Sequence, residues 1–243
     1  MTEVPRAPQP ELVTGRLRTR ARNAGADPLL TYYEPAGGTR VELSAVTLLN
    51  WVDKTSHLLD ELDVSPGDAV GLVLAEAAPG SWVTAVWELA CWQVGAVVRV
   101  GPDAPATARL LVTGPDWTPY ADAGPDVLAC SLHPLGLPLG GHLPPAVLDY
   151  ALEVRGQADR YAPVRQPTSA LAWQDEQRQL TQADLLTGTW PPLRRLVRPS
   201  TPWATAQSAL LAPLLGGGST VVVAGPAQED QLAQIATQER ITG

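Results

Sequence analysis

Apolar and polar positions along the chain follow two alternating periods. Short runs rich in β-branched and apolar residues, such as 69–74 and 219–224, predict buried strands. Between such runs, apolar residues recur at helical spacing, as in the segment after Ser44, and predict amphipathic helices. A cadence of strand, helix and strand favours parallel sheets with right-handed crossovers. The expected fold class is therefore α/β, with largely parallel sheets, flanking helices and two packed subdomains.

The same pattern, together with turn and cap residues, sets the bounds of the expected elements. Predicted helices cover residues 11–24, 45–62, 82–94, 181–186, 203–215 and 228–240. Predicted strands cover residues 29–33, 39–43, 69–74, 96–100, 109–113, 126–130, 170–173, 193–197 and 219–224, of which the first two form a hairpin. Residues 147–155 suit either a short helix or a strand.

The segment 131–145 interrupts this cadence. Its four prolines and three glycines forbid a helix or a central strand, while its leucines are too many for a solvated linker. We therefore expect a connecting loop that lies against the protein surface, and long loops of this kind are often functional. The predicted organisation is a flexible tail (1–10), a first α/β subdomain (11–130), this loop, and a second α/β subdomain (146–243).

Composition narrows the range of partners. The formal net charge is −8, which disfavours a sequence-independent grip on nucleic acid or anionic lipid. The polar, proline-rich start does not resemble a signal peptide, and no apolar run reaches the roughly 18 residues of a membrane span. We expect a cytoplasmic protein with no membrane span and no nucleic-acid partner, whose partner is an unknown small molecule or protein.

Two stretches contain motifs in a characteristic order. The first contains Thr31-Tyr32, then Pro66-Gly67-Asp68-Ala69-Val70, then Gly95-Ala96-Val97-Val98 with Pro102; the second runs from Leu214 to Val222 (LLGGGSTVV). Both stretches resemble the N-terminal part of the adenylate-forming superfamily, the AMP-binding acyl-CoA synthetases. Short actinobacterial acyl-CoA synthetase-like proteins have runs similar to 131–136 and 149–155, and the bias toward Arg, Ala, Gly and Pro is typical of high-GC actinobacteria.

The resemblance implies an ATP loop, rich in Ser, Thr and Gly and ending in Pro-Lys-Gly, between the strand 170–173 and the helix 181–186. This chain has QDEQRQL at 174–180, without glycine or lysine. Trp173, Gln174, Asp175 and Glu176 mark this degenerate position, where the two carboxylates would repel a triphosphate. The chain also ends at Gly243, before the later motifs and the C-terminal domain that the resemblance implies. We therefore expect no cofactor. Binding of ATP or AMP is disfavoured, and adenylation by the isolated chain is not expected.

Four residues in and after the loop 131–145 are candidates for contact with a ligand or partner: His133, Asp149, Glu153 and Arg155. An imidazole or a pair of carboxylates can transfer protons. Asp149 and Glu153 share a face if their segment is helical, although a solvated face with local ion pairs is the favoured interpretation. The spacing of His and Cys residues indicates no metal site, and no catalytic residue is assigned.

The sequence thus predicts a pseudoenzyme, a non-catalytic remnant that acts as a small-molecule-binding or protein-interaction module. The alternative is one part of a split acyl-CoA synthetase that is active only with a partner chain. A third hypothesis is an unrelated enzyme that uses His133 with Asp149 or Glu153, which requires these side chains to reach one substrate.

Overall fold

Short strands separated by helices build two sheets. The computed structural model describes residues 12–243; the predicted tail 1–10 and the first residue of the predicted helix 11–24 lie outside this range. The helices are α1 (Val13–Asn23), α2 (Ala45–Glu61), α3 (Leu74–Ala77), α4 (Trp82–Val94), α5 (Ala104–Thr107), α6 (Tyr150–Glu153), α7 (Pro202–Thr205), α8 (Ala212–Gly216) and α9 (Glu229–Gln238). The strands are β1 (Pro28–Glu34), β2 (Thr39–Ser44), β3 (Ala69–Leu72), β4 (Val97–Arg99), β5 (Leu110–Thr113), β6 (Asp126–Ala129), β7 (Val147–Asp149), β8 (Leu171–Gln174), β9 (Gln179–Thr181), β10 (Arg194–Val197) and β11 (Ser219–Val223).

The strands form a four-stranded sheet with the order β10-β11-β1-β2 and a seven-stranded sheet with the order β7-β6-β5-β3-β4-β8-β9. Neighbours pair in parallel except in the hairpins β1–β2 and β8–β9, which are antiparallel. The α/β class with mostly parallel sheets is confirmed. Strands from both sides of the loop 131–145 enter each sheet, so the division between 11–130 and 146–243 is not a division between sheets.

Helix α4 is the most deeply enclosed helix of the described chain. Ser81 caps its start, where the hydroxyl oxygen accepts from the Val83 backbone N–H, and Gly95 ends it in the left-handed region at φ +88°. All thirteen of its residues are buried. A helix that is apolar on every side belongs in an interior. The polar residues of α4 are Thr84, Glu88 and Gln93, and all three are buried.

The predicted helix 181–186 is wrong. Residues 179–181 instead form β9, and a single 3-10 turn follows at Asp184–Leu186. Thr181 does show cap chemistry, because its backbone N–H and its hydroxyl both donate to Asp184 Oδ2, at 2.8 and 2.7 Å. The turn does not extend because Gly188 has φ +105° and two prolines follow at 191 and 192.

In two other segments the sequence predicts a single element, whereas the structure has several elements in succession. Residues 147–155 form the strand β7, the helix α6 and a 3-10 turn in succession, since the Asp149 side chain caps α6 directly after the strand. The predicted helix 203–215 is present as α7 and α8, joined by a π-helical segment at Ala206–Leu211. Among residues 12–243, no helix has the length and apolar character needed to cross a membrane.

Candidate functional site

A crevice opens at the carboxyl ends of three neighbouring parallel strands, β3, β4 and β8. Its lining comes from the segments that leave these strands and from the start of α7: Glu76, Val100, Gly101, Asp175, Glu176, Gln177, Arg178, Thr201, Pro202 and Trp203. The space between these atoms is about 530 Å³, part of it open to solvent. Open α/β sheets bind ligands at this edge, and the crevice includes the predicted degenerate position of the ATP loop.

The hairpin that joins β8 to β9 is closed by hydrogen bonds to one carboxylate. Asp175 Oδ1 accepts from the Gln177 backbone N–H at 2.8 Å, and Oδ2 accepts from Trp173 Nε1 and Arg178 Nη1, each at 2.9 Å. The Asp175 backbone N–H donates to the Arg178 carbonyl oxygen at 3.0 Å. Burial alone would raise the pKa of Asp175, but these donors outweigh it and lower that pKa. Asp175 is therefore a fixed, ionised group.

The electrostatic character of the crevice follows from this hairpin. Three carboxylates, those of Glu76, Asp175 and Glu176, line it beside a single guanidinium, that of Arg178. Arg178 is already paired with Asp175. The backbone N–H groups of Asp175 and Gln177 are engaged within the turn, so they are not available as phosphate donors of the kind that a nest or ATP loop provides.

Trp203 lines the crevice, and Trp173 packs against it. Trp173, on β8, is fully buried, and its ring centroid lies 5.1 Å from that of Trp203 at an interplanar angle of 57°. Trp203 is half-buried and reaches the crevice because Thr201 caps α7, its hydroxyl oxygen accepting from the Ala204 N–H. Gln174 does not line the crevice and accepts instead from Arg99 Nη2 at 2.6 Å.

Three of the four candidate residues make hydrogen bonds to the backbone of the loop 131–145. Asp149 Oδ2 accepts from the Leu139 N–H at 2.8 Å, while its Oδ1 accepts from the Ala151 N–H at 2.9 Å. Arg155 donates to the Gly136 carbonyl oxygen, and His133 Nδ1 accepts from the Leu135 N–H. Both carboxylate oxygens of Asp149 are therefore engaged with backbone N–H groups.

The candidates do not share one cavity. Asp149 and Glu153 line a groove between β7, α6 and residues 138–143. His133 lines a separate apolar pocket beside Trp51 and Trp82, whose ring centroids are 5.2 Å apart. No group of His, Cys, Asp and Glu side chains suited to a metal ion occurs within residues 12–243. A contact of these four residues with a ligand or partner remains a prediction.

Asp175→Ala is expected to lower the free energy of unfolding by about 1–3 kcal/mol, because it leaves the buried Trp173 indole N–H without its acceptor. Chemical denaturation followed by tryptophan fluorescence measures the change. The matched control is Glu176→Ala, at the exposed neighbouring position, where a change within about 0.5 kcal/mol is expected. Equal effects of the two substitutions would contradict the role given to the Asp175 hydrogen bonds.

Comparison with solved structures places this architecture among acyl-CoA synthetases. The chain is similar to an acyl-CoA synthetase of Brucella canis (18% identity, TM-score 0.75), an acetoacetyl-CoA synthetase of Streptomyces lividans (19%, 0.72) and the N-terminal domain of FACL13 of Mycobacterium tuberculosis (14%, 0.66). These matches cover 96%, 95% and 96% of this chain but span only 46%, 41% and 62% of the three structures. At these identities the likeness is one of fold alone.

Comparison of sequences gives a nearer relative. No protein-family model matches the chain. A protein of Mycobacterium tuberculosis described as a TIGR03089 family protein is 36% identical over 234 aligned residues, covering 87% of this chain and 89% of the relative. Identity at this level over nearly the whole of both sequences establishes common descent, and the chain therefore belongs to the TIGR03089 family.

Proposed function

We propose that this chain binds a small organic molecule in the crevice at the ends of β3, β4 and β8 and does not form an acyl adenylate. The observation that carries the proposal is the β8–β9 hairpin, which uses its own N–H groups internally and lies where the family resemblance implies an ATP loop. The similarity of fold to acyl-CoA synthetases supports the binding of small organic ligands at this edge of the sheet. The hairpin argues against the binding of a nucleoside triphosphate there.

Charge decides between ligand classes for this crevice. Two like unit charges 4 Å apart repel by about 1 kcal/mol in water and about 4 kcal/mol near a protein surface. Three carboxylates line the crevice, and its one guanidinium is paired with Asp175, so a phosphate-rich ligand meets net repulsion. A ligand that is neutral or cationic, with a flat apolar part against Trp203, suits this lining.

The first test is an adenylation assay on the full chain. Pyrophosphate exchange into ATP, measured with magnesium and a panel of short-chain and medium-chain carboxylic acids, is expected to stay at the background rate. Exchange catalysed by the chain alone would overturn the proposal. Exchange that appears only when a second polypeptide is added would favour the split-enzyme alternative in its place.

The second test is a fragment screen by ligand-observed NMR, with neutral, cationic and anionic aromatic fragments at equal concentrations. Neutral and cationic fragments are expected to bind, and Trp203→Ala is expected to weaken them at least about tenfold, which corresponds to 1.4 kcal/mol. Leu135→Ala is the matched control, because Leu135 is 77% exposed and lies in the loop 131–145. A preference for anionic fragments, or equal effects of both substitutions, would contradict the assignment.

A further inference from the structure

A groove lies between α1, α2 and the segment 159–161, and it shares no lining residue with the crevice. Its volume is about 580 Å³, within the range of roughly 300–1,000 Å³ that is typical of pockets for small organic molecules. The aliphatic side chains of Ala21, Val46 and Leu49 line it, and Val46 is 52% exposed. The groove therefore combines sufficient room with an uncovered apolar surface.

Three arginines also line the groove. Arg18 and Arg22 are four residues apart and so share a face of α1, while Arg160 belongs to the segment 159–161. Arg18 is paired with Asp53. Within the described chain, Arg22 donates to a neighbouring hydroxyl on α1, and the side chain of Arg160 has no hydrogen-bond or ion-pair partner. The guanidinium groups of Arg22 and Arg160 therefore retain donors for a ligand.

The two carboxylates that line the groove are each paired with a cation. Asp53 Oδ1 accepts from Arg18 Nη2 at 2.5 Å and from Gln93 Nε2 at 2.8 Å. Asp159 Oδ1 lies 2.9 Å from the ammonium nitrogen of Lys54. The positive charge that these pairs leave uncompensated in the lining is opposite in sign to the net charge of −8 of the whole chain. This local excess favours an anionic ligand.

The segment that carries Arg160 is fixed against α1 and α2. The Arg160 carbonyl oxygen accepts from His57 Nε2 at 2.8 Å, and the Tyr161 carbonyl oxygen accepts from Arg18 Nη2 at 3.0 Å. The Tyr161 ring packs edge-on against the His57 ring, with the two centroids 5.0 Å apart. Because this backbone is already held in place, a ligand that binds here does not have to order it, and that saving favours affinity.

We propose that this groove binds a small aliphatic monoanion, with a singly charged oxyanion head such as a sulfonate or carboxylate on a short hydrocarbon chain. The head accepts hydrogen bonds from Arg22 and Arg160, whose planar guanidinium groups match an oxyanion. The hydrocarbon chain lies on the aliphatic part of the lining. A doubly charged head is disfavoured, because the two carboxylates of the same groove repel added negative charge. This site does not depend on the ligand of the crevice.

The test is chemical-shift perturbation in the ¹⁵N-labelled full chain, with hexanesulfonate as the probe. Methanesulfonate, which lacks the hydrocarbon chain, and hexylammonium, which has the opposite charge, are the matched controls. Hexanesulfonate is expected to bind at least about tenfold more tightly than either control and to shift resonances of α1, α2 and the segment 159–161. Equal binding of either control, no saturable binding of hexanesulfonate, or shifts confined to other parts of the chain would overturn the proposal.

Substitutions of single arginines test the contacts of the head. Arg22→Gln and Arg160→Gln each remove one guanidinium and are each expected to weaken hexanesulfonate at least about threefold, as the loss of a charge-assisted hydrogen bond predicts. The matched control is Arg165→Gln, which removes the same charge at an exposed position outside the groove and is expected to leave the affinity unchanged. Equal losses in all three variants would show that net charge alone attracts the probe and would refute the site.

A substitution on the apolar lining tests the contact of the hydrocarbon chain. Val46→Asp places a carboxylate in the first turn of α2, where negative charge stabilises a helix, so the variant is expected to stay folded. Its affinity for hexanesulfonate is expected to fall at least about tenfold. Trp203→Ala alters the crevice and is expected to leave hexanesulfonate binding unchanged, so the two sites are distinguished. Undiminished binding to a folded Val46→Asp chain would place the probe elsewhere and would refute the groove as its site.

Discussion

Replacing Glu239 by alanine is expected to lower the free energy of unfolding by about 3–5 kcal/mol, the typical effect of removing one partner of a buried ion pair. Glu239 follows α9, and its side chain is only 6% exposed. Its Oε2 atom accepts from Arg194 Nη2 at 2.5 Å, and Oε1 accepts from Arg40 Nε at 3.0 Å and from the Tyr33 hydroxyl at 2.5 Å. Alanine leaves the partly buried Arg194 guanidinium without its counter-charge.

The position of this cluster explains the size of the expected effect. Arg194 begins β10 and also donates to Thr31 on β1 and Ser219 on β11, at 3.1 and 3.0 Å. Together with the bonds of Glu239 to Tyr33 and Arg40, these bonds join the end of α9 to all four strands of the sheet. The loss of one carboxylate therefore weakens the docking of the last helix as well as a single ion pair.

A matched control separates this cluster from ordinary surface charge. Glu42 also pairs with Arg40, but both side chains are more than a third exposed, so Glu42→Ala is expected to cost at most about 1 kcal/mol. Guanidinium denaturation followed by tryptophan fluorescence measures both variants. A loss for Glu239→Ala as small as that for Glu42→Ala would show that the cluster does not stabilise the fold as argued.

The pH dependence of the Glu239 effect gives an independent check. Burial would raise the pKa of Glu239, but hydrogen bonds from Tyr33, Arg40 and Arg194 outweigh it and hold that pKa below its ordinary value of 4.5. A lowered acid pKa stabilises the native state above the unfolded-state pKa, and this contribution is lost as the pH falls through the folded-state value. The difference between wild type and Glu239→Ala is thus expected to shrink below about pH 4.5.

Local signals in the sequence predict most helices and strands, but they do not predict which strands pair with one another. Ser44, Ser81 and Gly95 act as caps with geometry that short-range rules describe, and the elements they bound are where the sequence places them. The pairing of β1 with β11, by contrast, joins Leu30 to Thr220 across most of the chain. No short-range pattern encodes that contact. The error at 181–186 has the same origin, because pairing with β8 places Thr181 in β9 and the turn that Thr181 caps ends at Leu186.

For the candidate site, too, the sequence predicts the residues of one local segment but not those that other elements bring to it. The sequence identifies Asp175 and Glu176 because a departure from a family loop is visible in a single segment. Glu76 and Trp203 reach the crevice from other elements, and their approach depends on the order of strands in the sheet. A weak signal was present, since Thr201-Pro202-Trp203 has the form of a helix start with an aromatic residue at its edge.

Glu88→Gln is expected to make the protein increasingly more stable than the wild type as the pH rises from 5 to 9. Burial raises the pKa of Glu88 well above its ordinary value of 4.5, so the native state holds a proton that the unfolded state releases. A raised acid pKa gives a contribution that is fully present below the unfolded-state pKa and lost as the pH rises toward the folded-state value. The wild type therefore loses up to about 1.4 kcal/mol per pH unit in this window.

Glutamine cannot release this proton, and it keeps the shape of the side chain. The difference in unfolding free energy between variant and wild type should therefore grow with pH at that slope. It should level off above the folded-state pKa of Glu88. Urea denaturation at half-unit pH intervals measures it. Glu229→Gln, an exposed substitution at the start of α9, is the matched control and is expected to give a constant difference over the same range. A constant difference for Glu88→Gln as well would show that the native state does not hold a proton at Glu88 that the unfolded state releases.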